Sequence, residues 1–442
     1  MKPRPPIPEG PYLIVGLARS GVAAARALHA RGEQVVGVDG ATPDAAARTL
    51  AEDGIEVHLG TDGRELLGGV RVLLKSPGVP AQAPVVTAAR AAGMTVIGEL
   101  ELAWRLLPNE FVAVTGTNGK TTTVELIGHI HREAGLPVAV AGNVGVALSG
   151  LVGQVDPDAT IVCEASSFQL EDTLAFAPEA AVLLNITPDH LDRHGTMDAY
   201  RHAKLQAFAR QGAGDVAVLP LEYEGAAVSP DVRLVRFGEE SPADCALRDG
   251  RIWWEREPLL DLAELRLRGS HNARNALAAA AVCLARGIDA DAVRGGLRSF
   301  AGVAHRLEEV ARREGVLYVN DSKATNVAST LVALQAFAPG RIHLILGGQG
   351  KGQDFAALRD PIAVACRAVY LIGEDAPLIA RALKGSGVSA RESHNLEGAV
   401  AAASLAATSG ETVLLSPACA SFDQFADFEA RGERFRELVR GL

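Results

Sequence analysis

The 442-residue chain is 48% apolar and 22% charged, a balance that suits folded domains and is wrong for disorder. Its 43 Lys and Arg against 53 Asp and Glu give a net charge of −10, so it lacks the basic footprint that nucleic acid or anionic lipid would require. No apolar run approaches the roughly 18 residues of a membrane span. The Pro-rich start, MKPRPPIPEG, has no apolar stretch of the secretory kind. Five scattered cysteines (Cys163, Cys245, Cys283, Cys366, Cys419) form no CxxC pair and point to reduced, buried thiols in a cytoplasmic enzyme. The length suits about three domains.

Residues 1–98 alternate strands and helices. The run Tyr12-Leu-Ile-Val15 stops at Gly16, residues 20–31 place Val22, Ala25 and Leu28 near helical spacing, and 34–39 reads as a second strand. Two more strands, 70–74 and 95–97, flank an Ala-rich helix at 84–92. Gly16-Leu-Ala-Arg-Ser-Gly21 follows a strand and opens a helix, and Asp39 ends the next strand, the layout of a dinucleotide fingerprint. Ala18 replaces the middle glycine, which weakens a nicotinamide reading.

Residues 99–302 open with the strand Phe111-Val-Ala-Val-Thr115 and continue with strands near 138–141, 160–164, 181–186 and 215–219. Short antiparallel strands are expected over 222–268, then a helix at 272–286 and a Gly-Gly break at 295–296. Residues 303–442 carry strands at 316–319, 342–346, 368–372 and 412–415, and no fixed-period repeat is visible. The expected fold class is α/β, with three α/β domains: N-terminal Rossmann-like, central P-loop ATPase-like and C-terminal Rossmann-like.

Behind the strand ending at Thr115 comes Gly116-Thr-Asn-Gly119-Lys120-Thr121-Thr122-Thr123, after which Val124, Ile127, Ile130 and Ala134 recur at helical spacing. Glycines free backbone N–H groups to point inward, the helix N-terminus adds positive potential, and Lys120 can neutralise outer phosphates. The Thr121 hydroxyl is placed for Mg²⁺. The loop is shorter than G-x-x-x-x-G-K, since position 114 is Val. A plain Gly turn with an incidental Lys is the alternative, disfavoured because strand, loop and helix agree.

Glu164 ends the next strand, where a Mg²⁺ ligand of a phosphate-loop sheet is expected, an exposed strand-end acid being the lesser alternative from position alone. Thr187-Pro-Asp-His190-Leu-Asp-Arg-His194 follows another strand. His190, beside Asp189, reads as the ligand and His194 as a satisfied loop histidine.

These stretches resemble the Mur ligases of peptidoglycan synthesis over nearly the whole chain. The resemblance rests on the loop and on Gly142-Asn-Val-Gly145, Glu164-Ala-Ser-Ser-Phe-Gln-Leu-Glu171, Asn185–Arg193, Tyr200-Arg-His-Ala-Lys204, His271-Asn272, His305-Arg306 and Leu346–Lys351. Asn320-Asp-Ser-Lys-Ala-Thr-Asn326 and Ser416-Pro-Ala-Cys-Ala-Ser421 point to the branch that adds D-glutamate. The Asp-Asn-Pro-Arg motif of the third-residue adder is absent. The resemblance implies a monomeric, cytoplasmic, ATP-dependent amide ligase with domains 1–98 for the UDP-sugar, 99–302 for ATP and 303–442 for the amino acid. Its partners would be UDP-N-acetylmuramoyl-L-alanine and D-glutamate.

It further implies that Gly116, Thr117, Asn118, Gly119, Lys120, Thr121, Thr122 and Thr123 bind the ATP phosphates. Thr121 and Glu164 would hold one Mg²⁺, and His190 and a carbamylated Lys204 a second, with Lys120 completing the catalytic set. A lysine ammonium repels a metal, whereas a carbamate presents oxygens to it; from its helix alone Lys204 reads as solvated. Asn275 is implied at the adenine, Asp321 at the ribose and Arg306 near the phosphates. Leu17, Ala18, Asp39, Ser76, Pro77, Gly78 and Asn143 would bind the UDP-sugar, with contacts from positions 40 and 41 departing from the family pattern. Lys323, Thr325, Lys351, Ser421 and Phe428 match the D-glutamate pocket.

The chemistry so implied runs through an acyl phosphate, with closure about a hinge near Gly302. A nicotinamide oxidoreductase using Gly16–Gly21, a nucleotide-dependent switch and a folylpolyglutamate synthase are the rival readings.

Overall fold

The computed structural model describes residues 2–41, 44–224, 228–239, 242–267, 269–350 and 352–442, so Lys351 lies outside the described residues. Residues up to Phe300 form one compact unit and residues 301–442 another. All sheets and strands named below are those of the described residues.

The first unit contains two sheets. In the five-stranded sheet the order is Glu56–Leu59, Val35–Asp39, Tyr12–Val15, Val72–Lys75, Thr95–Gly98, all parallel. Tyr12–Val15 is buried throughout, as a central parallel strand covered on both faces must be. Its residues alternate between those faces: Tyr12 and Ile14 join Leu28 and Leu50, while Leu13 and Val15 join Val85 and Val86. The strand order reverses beside Tyr12–Val15, and the crevice at the carboxyl ends there is bordered by Gly16, Asp39 and Ser76.

In the nine-stranded sheet Phe111–Thr115 lies between Ala180–Leu183 and Thr160–Glu164, parallel to both. Val114 pairs with Glu164 and Thr115 with Leu183. This register brings the phosphate loop, Glu164 and the segment after Leu183 to one edge.

Two sequence expectations are corrected here. Residues 222–268 are not simply antiparallel: Arg233–Gly238 runs parallel to Val216–Pro220, and only Cys245–Arg248, Arg251–Trp254 and Glu257–Asp261 form an antiparallel meander. Gly295-Gly296 does not break a helix but lies inside Ala290–Ser299. A Cβ on Gly296 would sit 2.6 Å from Ile130 Cγ1 and 3.0 Å from its Cα. The glycine is there for close packing against Lys120–Glu133, which outweighs its weak helix propensity.

The second unit has a six-stranded sheet in the order Glu308–Arg313, Val316–Asn320, Thr412–Leu415, Ile342–Gly347, Cys366–Ile372, Ser389–His394, parallel except for its first strand. Leu317, Leu344 and Leu414 pack on one face, and Tyr318, Ile345 and Leu415 on the other. The edge strands Glu56–Leu59, Glu308–Arg313 and Ser389–His394 have no sequence signal because they are partly or largely exposed and so carry no apolar run.

Candidate active site

The phosphate loop leaves its strand at Gly116 (φ 153°) and enters the helix Lys120–Glu133 through Gly119 (φ 87°). A Cβ at Gly119 would lie 2.3 Å from Asn275 Oδ1, so the turn needs glycine both for its left-handed backbone and for its neighbour. Asn275 is thereby placed against the loop, its amide donating to Asn272 Oδ1 at 3.1 Å. Asn185 pins the other side. Its carbonyl accepts from Thr117 N at 3.0 Å and its Oδ1 from Asn118 N at 2.9 Å. Thr122 and Thr123 are buried in the first helical turn, and Thr123 Oγ1 donates back to Gly119 O at 3.0 Å.

At the loop's mouth the Thr121 hydroxyl donates to Glu164 Oε2 at 2.9 Å, and Asn143 Nδ2 donates to Oε1 at 3.1 Å. Glu164 is buried. Among the described residues no three His, Cys, Asp or Glu side chains converge as a metal site. One hydroxyl and one carboxylate beside a phosphate cradle instead suit Mg²⁺, which keeps waters and takes substrate phosphates as its other ligands.

Lys120 Nζ curls over the loop and donates to the carbonyls of Gly116 (3.0 Å) and Thr117 (2.9 Å). Lys204, on the helix Met197–Leu205, is only 2% exposed and donates to the same Gly116 carbonyl at 2.7 Å. A solvated helical lysine is therefore the wrong reading of Lys204. Burial, reinforced by the charge of Lys120, pushes its ammonium down to about 7, so a neutral amine is accessible. Its nitrogen lies 4.5 Å from the Tyr200 ring centroid, and the Tyr200 hydroxyl is 3.1 Å from Thr117 Oγ1.

His190 sits on the same side, half exposed, with φ 52° and its Nε2 3.4 Å from Asp189 Oδ2. Its ring packs at 4.8 Å on Phe168 and 6.3 Å from Tyr200. His194 is a structural histidine, as expected. Its Nε2 is 3.0 Å from Ser167 Oγ, its ring stacks on Phe168, and burial holds its imidazole below the usual range. Although Glu171 Oε2 lies 3.7 Å from His194 Nδ1, Ser167 is 1% exposed, so the serine is closed to a substrate.

In the five-stranded sheet, Asp39 Oδ2 accepts from Leu17 N at 2.7 Å and Oδ1 from Ala41 N at 2.9 Å. The acid and the Leu17 amide thus fix the glycine loop, and the helix Arg19–His29 starts at the exposed Ala18 with no side-chain cap. Ser76 Oγ donates to Gly16 O at 2.6 Å, tying the Ser76-Pro77-Gly78 turn to that loop.

In the second unit, Asp321 accepts from Ser416 Oγ at 2.7 Å and Leu307 N at 3.1 Å, and burial pushes its carboxyl up to about 7. Arg306, one residue before Leu307, lies on that loop and lowers Asp321 slightly. Lys323 Nζ is 5.8 Å from the Phe428 ring centroid, and Thr325 N donates to Lys323 O at 2.9 Å. Ser421 is buried. What joins these segments is Arg431, which the sequence reading missed: it is 1% exposed and donates to Ser322 O (2.9 Å) and Cys419 O (3.1 Å). Asn185, Tyr200 and Phe168 went unassigned for the same reason. Their roles are contacts across the fold rather than patterns along the chain.

Family profiles match in three places. The Mur ligase MurD-like N-terminal domain matches residues 11–98, the Mur ligase middle domain 114–283, and the Mur ligase glutamate ligase domain 305–419. A UDP-N-acetylmuramoylalanine–D-glutamate ligase of Acidobacterium capsulatum is 43% identical over 97% of this chain and 95% of its own. One of Pelotomaculum thermopropionicum is 42% identical over 97% of each. Among solved structures, UDP-N-acetylmuramate-alanine ligase MurC of Thermotoga maritima shares the fold with a TM-score of 0.61 at 20% identity, covering 98% of this chain and all of that one. The chain belongs to the Mur ligase family, in the group of its UDP-N-acetylmuramoylalanine–D-glutamate ligases.

Proposed function

We propose that the chain joins the carboxylate of UDP-N-acetylmuramoyl-L-alanine to the amine of D-glutamate, using ATP, in the cytoplasmic assembly of a peptidoglycan precursor. The observation that carries this reading is the Thr121–Glu164 pair at the mouth of the glycine loop, in a chain 42–43% identical to named D-glutamate ligases over 97% of its length. Five buried cysteines with no disulfide among them support the cytoplasmic setting.

In this reading the substrate carboxylate attacks the γ-phosphorus, ADP leaves, and an acyl phosphate forms. The D-glutamate amine then attacks the acyl carbon, loses a proton, and phosphate departs. Lys120 and the loop amides hold the outer phosphates against the incoming carboxylate. Thr121 and Glu164 would hold one Mg²⁺, and His190 with a carbamylated Lys204 a second. When bound, the ions screen the charge that otherwise keeps carboxylate and triphosphate apart. No side chain acts as a covalent nucleophile. Ser166 is committed to the capping box with Gln169, accepting from its backbone N–H.

The UDP-sugar is assigned to the crevice of Leu17, Ala18, Asp39, Ser76, Pro77, Gly78 and Asn143, and D-glutamate to Lys323, Thr325, Lys351, Ser421 and Phe428. Paired ammonium–carboxylate contacts would supply the latter's selectivity. The test is ADP release with UDP-N-acetylmuramoyl-L-alanine and, in turn, D-glutamate, L-glutamate and L-lysine. Turnover with D-glutamate alone is expected. ATP hydrolysis that ignores the UDP-sugar would instead indicate a nucleotide switch.

A further inference from the structure

We propose that Arg193 is a positioning residue that couples the UDP-sugar turn of the five-stranded sheet to the segment carrying His190, so that filling one site presets the other. The proposal rests on the assignment of those two sites given above and goes beyond it by naming their connection.

Arg193 stands in the short helix Leu191–His194, directly behind His190, and its N–H donates to His190 O at 3.1 Å. Its guanidinium reaches across to the other sheet. Nη1 donates to Gly78 O, and Nη2 to Pro77 O and Val79 O, each at 3.3 Å. One planar fork therefore holds three successive carbonyls, a geometry that lysine cannot reproduce. The same guanidinium lies 4.3 Å from the Phe168 ring centroid, and the His190 ring packs on that phenyl group at 4.8 Å. Arginine, phenyl ring and histidine form one packed unit.

The turn is held from a second side. Lys75, wholly buried, donates to Val79 O at 2.9 Å and is paired with Asp172 at 2.7 Å and Glu171 at 3.3 Å. Ser76 reaches back to Gly16 O. The glycine loop, the turn, Arg193 and His190 thus make a contiguous chain of polar and packed contacts between two candidate ligand sites. Among the described residues Arg193 is the direct bridge from the turn to the histidine segment, and Lys75, Glu171 and His194 form a longer, weaker route beside it. The cationic fork needs no substrate contact of its own, because every acceptor that it uses is backbone.

The test is a linkage cycle on the full chain. Mn²⁺ binding, in the presence of a non-hydrolysable ATP analogue, is followed by electron paramagnetic resonance with and without UDP-N-acetylmuramoyl-L-alanine. UDP-sugar binding is measured by calorimetry with and without Mn²⁺. In the wild type each ligand is expected to tighten the other by about tenfold, the ordinary size of coupling between linked sites. In Arg193→Ala each ligand alone should bind within about threefold of wild type while the mutual factor falls at least about threefold, the remainder coming from the substrate carboxylate beside the ions and from the Lys75–Glu171–His194 contacts. Arg193→Lys, which keeps the charge and guards against a variant that fails to fold, should retain only part of it. An undiminished mutual factor in both variants overturns the proposal alone. A wild type that binds no UDP-sugar overturns the assignment of the sites and the proposal with it.

Discussion

Lys120 and Lys204 donate to one and the same acceptor, the carbonyl oxygen of Gly116, at 3.0 and 2.7 Å. Two ammonium groups on one carbonyl, one of them buried, are costly as a pair of charges. Converting the buried amine to a carbamate removes that repulsion and supplies oxygens for a metal. Lys204→Ala is therefore expected to lose activity by at least ~100-fold and to regain part of it with bicarbonate plus a short carboxylic acid. Lys204→Arg should be as inactive, although it keeps the positive charge. A carbamate signal from ¹³C-bicarbonate should be present in the wild type and missing in both variants; equal activity of wild type and Lys204→Arg would remove the carbamate from the account.

Glu164 accepts from Thr121 and Asn143 and has no basic side chain among those hydrogen bonds. Glu164→Gln preserves shape but lowers the donor charge offered to a hard cation. The expected result is at least a tenfold higher Mg²⁺ requirement, on the order seen when metal sites lose a supporting group, with UDP-sugar affinity unchanged by calorimetry. A metal requirement identical to wild type would show that the carboxylate serves only to fix Thr121.

Gly295 and Gly296 are neighbours with opposite surroundings. The Cβ of an alanine at 296 would meet Ile130 at 2.6 Å, with backbone 3.0 Å away, whereas at 295 the nearest atom is Glu133 Oε2 at 3.7 Å. Gly296→Ala should destabilise by about 1–2 kcal/mol through overpacking. Gly295→Ala should stabilise by roughly 0.5–1 kcal/mol, the usual gain from replacing a helical glycine. Denaturant midpoints of the two variants, compared with wild type, must move in opposite directions.

The same pair shows where the sequence is legible and where it is not. Local propensity makes Gly-Gly a breaker, and nothing along the chain says that Ile130 presses on it. The phosphate loop was readable because strand, glycines, Lys120 and Thr121 are contiguous, so the chemistry and the fold are written in one segment. Glu164 was readable as a strand end but not as the acceptor of the Thr121 hydroxyl, which depends on the pairing of two distant strands. Lys204 could not be seen as buried, since its partner lies 88 residues away. Arg431 carries no motif, and its role exists only where its helix meets the two loops that carry Ser322 and Cys419.

The pH dependence of stability should carry the signature of Glu99. This residue opens the helix Glu99–Leu106, is fully buried, and accepts from Ser149 N at 2.6 Å. Burial pushes its carboxyl up from 4.5 to about 7. The unfolded chain gives up this proton near the ordinary value and the folded chain only near 7, so folding takes up a proton between them. Stability is therefore highest below that window, falls as pH rises through it, and levels off above. The full drop is roughly 3 kcal/mol. Glu99→Gln has no proton to lose, so denaturation from pH 5 to pH 8 should show the variant gaining on wild type up to about pH 7 and holding that gain above it. A difference between the two proteins that stays constant across that range would mean that Glu99 is ionised in the fold despite its burial.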